Sequence, residues 1–115
     1  MRPAAFEDEI VGSVQLFAVS GELDPIGSGE MRRLVERTLR GGRKCVVLDL
    51  AGVTHMDSSA LAALINVHQM TAERGGKLAL VISTQQLRRT LEVRGLDRLF
   101  TIRADRQAAV DAVCD

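Results

Sequence analysis

Asp57, Ser58 and Ser59 stand together immediately before Leu61, Leu64, Ile65 and His68, which recur with the spacing of one helix face. Three kinds of chemistry fit that trio. A carboxylate or hydroxyl ahead of a helix accepts hydrogen bonds from the first-turn N–H groups, which stabilises the helix by ~1 kcal/mol. A serine with a base and an orienting acid becomes a nucleophile, and His55 with an aspartate is the local candidate for Ser58 or Ser59. An exposed serine can instead accept a phosphate, which adds about −1.5 to −2 charges at pH 7. A helix start carries unpartnered N–H groups and the positive end of the macrodipole, so the fold is expected to tolerate that charge at Ser58.

The nucleophile reading has little around it. No G-x-S-x-G elbow is present, and His68 falls on the apolar helix face, where it reads as a packing residue. Two His and two Cys form no metal-ligand spacing, and no glycine-rich loop has the spacing that cradles a phosphate. A second acidic loop, Gly21-Glu22-Leu23-Asp24, precedes Pro25. Asp24 reads there as a turn residue or as a second carboxylate near Ser58. An aspartyl phosphoacceptor domain fits less well, because neither Lys44 nor Lys77 is placed for the late lysine it uses.

Length and composition narrow the classes further. A chain of 115 residues builds one hydrophobic core. Fifteen basic residues balance 15 acidic ones, so no overall field draws it to nucleic acid or an anionic membrane. Three Phe with no Trp or Tyr leave few stacking platforms for bases. No apolar run approaches the roughly 20 residues of a membrane span, and the N-terminus lacks the apolar stretch of an export signal. Two cysteines, Cys45 and Cys114, fit a reducing cytoplasm.

The elements that must position the trio follow from periodicity and breakers. Val14 to Ser20 reads as a half-buried strand, the second arm of a hairpin turned at Gly12-Ser13. Ser28 reads as the N-cap of a first helix with Met31, Leu34, Val35, Thr38 and Leu39 on one face, stopped by Gly41-Gly42. Cys45 to Leu50 reads as a buried strand, broken by Gly52 and the polar Thr54-His55. The trio then opens a second helix that ends at Gly75-Gly76. Lys77 to Ser83 is another buried strand, Thr84 caps a third helix stopped by Gly95, and a short last strand follows near Ile102. Asp105 caps a final helix, Arg106 to Val113. This alternation predicts an α/β domain: a mixed, mostly parallel sheet of four to five strands with about four covering helices. Residues 1–115 read as a single domain, with residues 1–8 expected to be a flexible N-terminus.

VSGELD (Val19 to Asp24), VVLDLAGVTHMDSSAL (Val46 to Leu61) and GGKLALV (Gly75 to Val81) resemble the STAS-domain anti-sigma factor antagonists. The resemblance implies a STAS-like fold and a cytoplasmic regulatory protein with no enzymatic activity and no cofactor of its own. It implies an anti-sigma factor with serine kinase activity as partner, capture of which frees a sigma factor. Phosphorylation of Ser58 breaks that complex and a PP2C-type phosphatase restores it; ATP and magnesium belong to the kinase. Asp24, Met56, Asp57, Ser59 and Leu61 are the expected partner-binding residues. Ala60 stands where the family motif has glycine; it is expected to leave the helix start undisturbed but, by its methyl, to crowd a partner or kinase that approaches the backbone there and so to make phosphorylation less efficient. The same fold also serves as an accessory subunit of membrane lipid-transport complexes, an alternative set apart by indifference to replacement of Ser58.

Overall fold

A computed structural model describes residues 2–114. The elements run β1 (Ala5–Val11), β2 (Val14–Leu23), α1 (Pro25–Arg40), β3 (Cys45–Met56), α2 (Ser58–Glu73), β4 (Lys77–Val81), α3 (Gln85–Val93), a 3-10 turn (Leu96–Arg98), β5 (Thr101–Arg103) and α4 (Arg106–Val113). The five strands form one sheet in the order β1-β2-β3-β4-β5. β1 pairs antiparallel with β2 through a hairpin at Gly12-Ser13, and the remaining pairs are parallel. This is the mixed, mostly parallel sheet with four helices that the alternation predicts.

The helices divide between the two faces because the strand residues alternate. Phe17, Val19, Val46, Leu48, Leu50, Leu78 and Leu80 point into the main core, where Met31, Val35 and Leu39 of α1, Leu61, Leu64 and Val67 of α2, and Leu87 and Leu91 of α3 cover them. Their neighbours Val14, Leu16, Val47, Ala79 and Val81 point to the opposite face, under Ala109, Val110 and Val113 of α4. Leu64 is wholly buried, and such a side chain stabilises the fold by about 1.5–3 kcal/mol relative to exposure. His68 is only half-buried, its ring edge-on to Phe100 at 5.6 Å between centroids.

Three expectations are corrected. Residues 5–8 are the first half of β1, and the Arg2 carbonyl accepts from the Glu22 N–H at 3.0 Å, so the tract from Arg2 onward is tied to β2. Met1 lies outside the described residues. Gly21, at φ +85°, allows this: a Cβ there would stand 2.3 Å from the Pro3 carbonyl oxygen. β3 does not end at Leu50 but continues through Gly52 to Met56, with register shifts against β2 between Ala18 and Ser20 and between Gly21 and Glu22. Its extension is held by burial of Val53 and Met56 in the main core. Finally, Ser28 does not cap α1. Asp24 does, because Pro25 fits the first helical position with its fixed φ and missing N–H.

Candidate functional site

The longest parallel pairing, β2 with β3, ends at Leu23 opposite Met56. Asp24 and Asp57 each follow one of these paired ends, and the Asp57 N–H reaches the Leu23 carbonyl at 3.5 Å. Two helices therefore start side by side, each from an aspartate in extended conformation. Asp24 Oδ1 accepts from the Gly27 N–H at 2.8 Å. Asp57 Oδ1 accepts from the N–H groups of Ser59 and Ala60 at 2.9 and 3.1 Å, and also from the Ser59 hydroxyl.

The two serines differ in what holds them. Ser59 is half-buried, and its hydroxyl proton goes to Asp57. Its oxygen lies 3.5 Å from the Ser28 hydroxyl across the α1–α2 contact. A hydroxyl has one proton, so once Asp57 has taken it Ser28 is the one left to donate in that contact. Ser58 is exposed, and its hydroxyl enters no hydrogen bond among the described residues. Of the pair, only Ser58 has a hydroxyl open to attack from solvent.

The donation from the Ser59 hydroxyl is the largest cause that holds the Asp57 carboxyl below the usual carboxylate value; burial opposes it as the next largest, and the backbone N–H groups of Ala60 and Ser59 and the charge of His55 add to the lowering. Asp57 is thus a fixed negative charge next to Ser58 at neutral pH. It also occupies the N–H groups of the second and third helical positions. The expectation that a phosphate on Ser58 would meet free N–H groups is corrected accordingly: of those donors, only the Ser58 N–H is left by the cap.

A shallow groove of about 470 Å³ runs from this end between α1 and α2, lined by Pro25, Gly29, Arg32, Ser59, Ala62 and Asn66 among others. Ile26, next in the chain to Pro25, is 78% exposed. No group of three or more His, Cys, Asp or Glu among the described residues could hold a metal ion, and no described helix is long and apolar enough to cross a membrane.

The family model for the STAS domain matches residues 5–109. The chain belongs to the STAS family. An anti-sigma F factor antagonist of Paenibacillus polymyxa is 29% identical to it over 91 residues, 77% of each chain. The crystal structure of an anti-sigma factor antagonist from Mycobacterium paratuberculosis shares the fold with a TM-score of 0.87 at 23% identity, across 98% of this chain and 96% of that one. The phosphorylated form of the Bacillus cell fate determinant SpoIIAA shares it with a TM-score of 0.74 at 21% identity, across 95% of this chain and 99% of that one.

Within this STAS domain the expected site residues separate by burial. Asp24, Asp57 and Ser59 gather around Ser58 and are half-buried. Met56 and Leu61 do not belong to the surface: they are 7% and 5% exposed and pack in the main core. Ala60 is fully buried, so its methyl points away from any partner, contrary to expectation, and supplies a core contact a glycine would lack. Ile26, the second residue of α1 and 78% exposed, follows the Asp24 cap by two positions and lies outside the G-E-L-D motif. Ser28 is legible only as part of the inward stripe Ser28, Met31, Val35; its contact with Ser59 needs the packing of α1 on α2.

Proposed function

We propose that this STAS domain is an anti-sigma factor antagonist that binds an anti-sigma factor with serine kinase activity and is switched off by phosphorylation of Ser58. The observation that carries the reading is the contrast between the two serines: Ser58 exposed with an uncommitted hydroxyl, Ser59 tied to Asp57. The likeness to the anti-sigma F factor antagonist of Paenibacillus polymyxa supports an anti-sigma factor as the partner class. The kinase supplies ATP and magnesium, and this chain performs no catalysis. A PP2C-type phosphatase reverses the modification, and the exchange takes place in the cytoplasm.

The switch works through charge at the contact surface. The Asp57 carboxylate already takes the helix N–H groups of Ser59 and Ala60. A phosphate on Ser58 therefore projects outward beside Asp57, raising the local negative charge by about 1.5–2 units. A partner that fits the unmodified surface meets repulsion and must desolvate the new dianion. The fold has no need to change, since the cap stays in place.

Phosphosite mapping by mass spectrometry tests this: the chain is incubated with ATP and each candidate anti-sigma kinase of its own genome, with Ser58→Ala as control. Phosphate on Ser58, lost in the control, is the expected result. Ser58→Ala is expected to bind the kinase as the wild type does and Ser58→Asp much less; equal affinity of the two variants refutes the charge switch. If no such kinase binds, the lipid-transport accessory becomes the better reading.

A further inference from the structure

Glycine is a poor helix residue, because it gives up the most conformational freedom on folding. Gly27 nevertheless stands at the third position of α1, buried, in the turn that Asp24 caps. Its surroundings show what takes the place of a side chain. A Cβ on Gly27 would lie 2.7 Å from the Ala4 Cβ, whereas the next nearest atoms, Asp24 Oδ1 and the Glu22 carbonyl oxygen, stand at 3.3 and 3.5 Å. The Ala4 methyl thus fills the space that a side chain at position 27 would need, and Ala4 itself packs against the main core.

The same short tract is fitted to the end of β2. The Arg2 carbonyl accepts from the Glu22 N–H at 3.0 Å, Pro3 bridges to Glu22, and the Pro3 carbonyl lies where a Cβ on Gly21 would be. Two glycines, Gly21 and Gly27, therefore make room for residues 2–4. Both lead directly to the Ser58 site. Beyond Gly21 and Glu22 comes Leu23, whose carbonyl meets the Asp57 N–H at 3.5 Å. Beside Gly27 is Ser28, which is 2% exposed and whose hydroxyl lies 3.5 Å from that of Ser59, the residue bonded to Asp57. Gly27 also gives its own N–H to Asp24 at 2.8 Å.

We infer that residues 2–4 are a strap that positions the Ser58 site, with Ala4 as its positioning residue. The Ala4 methyl against Gly27 sets where the first turn of α1 sits, and through Ser28 and Leu23 that turn sets the Asp57-Ser58-Ser59 start of α2. Protein interiors are close-packed, so a methyl added at such a contact displaces its neighbours. The effect on an anti-sigma partner rests on the proposed function; the effect on the start of α2 does not.

Gly27→Ala, Ala4→Gly and the double variant test it, read on the full chain by amide NMR spectra, thermal melts and partner affinity. Alanine is the better helix former, so propensity alone predicts that Gly27→Ala stabilises. Collision with Ala4 is expected instead to lower the melting temperature by about 5 °C. It is also expected to move the amide resonances of Asp57, Ser58 and Ser59 together with those of the α1 turn. The double variant removes the colliding methyl and leaves 3.3 Å as the nearest contact, so the melting temperature and the α2 resonances are expected to return towards wild type. Where Gly27→Ala does not fold, Ala4→Gly alone is expected to move the same α2 resonances. At a temperature where the variants are folded, Gly27→Ala is expected to raise Kd about fivefold or more for the anti-sigma factor that captures the wild type, and the double variant to recover it. A strap that served stability alone would move the melting temperature but neither the α2 resonances nor Kd, and that outcome overturns the proposal. So does a Gly27→Ala chain that melts at or above wild type, or a double variant that fails to recover. If no anti-sigma factor captures the wild type, the proposed function fails and the α2 resonances alone decide the strap.

Discussion

Ile26→Ala separates contact with the anti-sigma partner from folding more cleanly than any change in the D-S-S motif, where capping and contact coincide. Ile26 is the second residue of α1, two positions after the Asp24 cap, and is 78% exposed. The substitution removes the equivalent of about three methylene groups, each worth ~0.8 kcal/mol when buried. With 78% of the side chain still open to burial by a partner, the largest loss is about 1.9 kcal/mol, or about a 25-fold rise in Kd. The fold has little to lose, because the residue packs against almost nothing and alanine is the better helix former. Stability is therefore expected to stay within about 0.5 kcal/mol of wild type. Isothermal titration calorimetry against the anti-sigma factor that captures the wild-type chain, with a thermal melt of the free variant, reads both quantities. A Kd within about twofold of wild type at an unchanged melting temperature refutes the reasoning, and moves the contact surface away from the start of α1.

Four further outcomes are expected. Asp57→Ala removes the α2 cap and is expected to cost about 1 kcal/mol and lower the melting temperature by about 5 °C, whereas Asp57→Ser keeps part of the cap and most of that stability. The folded Asp57 carboxyl is depressed below its unfolded value, so the stabilisation it brings is complete above the unfolded value and is lost as pH falls through the folded one. Urea denaturation below about pH 4 is expected to show that loss in wild type and a flatter profile in Asp57→Asn. Arg106→Ala removes the 2.5 Å bond from Arg106 Nε and leaves Asp49, which is 6% exposed, with only the Ala51 N–H as donor among the described residues; a cost of about 1–3 kcal/mol in urea denaturation is expected, mainly through undocking of α4. Gly21→Ala is expected to melt well below wild type, since its Cβ collides with the Pro3 carbonyl at a backbone angle that alanine rarely adopts.

How much of this was legible in the chain itself depends on the range of the interaction. The second, third and fourth helices and their caps at Asp57, Thr84 and Asp105 are set by side chains bonding N–H groups two or three residues away, so the local pattern suffices. The inner strands were legible because continuous apolar runs suit a sheet covered on both faces. The first cap is the exception: Ser28 is as good a cap residue as Asp24, but with Pro25 at the first helical position Ser28 falls inside the first turn, where it is 2% exposed. β3 continues past Gly52 because β2 lies alongside to pair with it, information absent from either segment alone.

The same division holds at the site. By itself the chain places an acid and two serines at a helix start, and the resemblance singles out Ser58. Tertiary structure alone decides that Ser59 is half-buried against Ser28 while Ser58 stays exposed, and that Ala60, Met56 and Leu61 turn inward while Ile26 turns out. The physical reason is that capping is a bond between near neighbours, fixed by residue type and spacing. Exposure is instead a property of how α1, α2 and the sheet close over one another, and no stretch of the chain carries it alone.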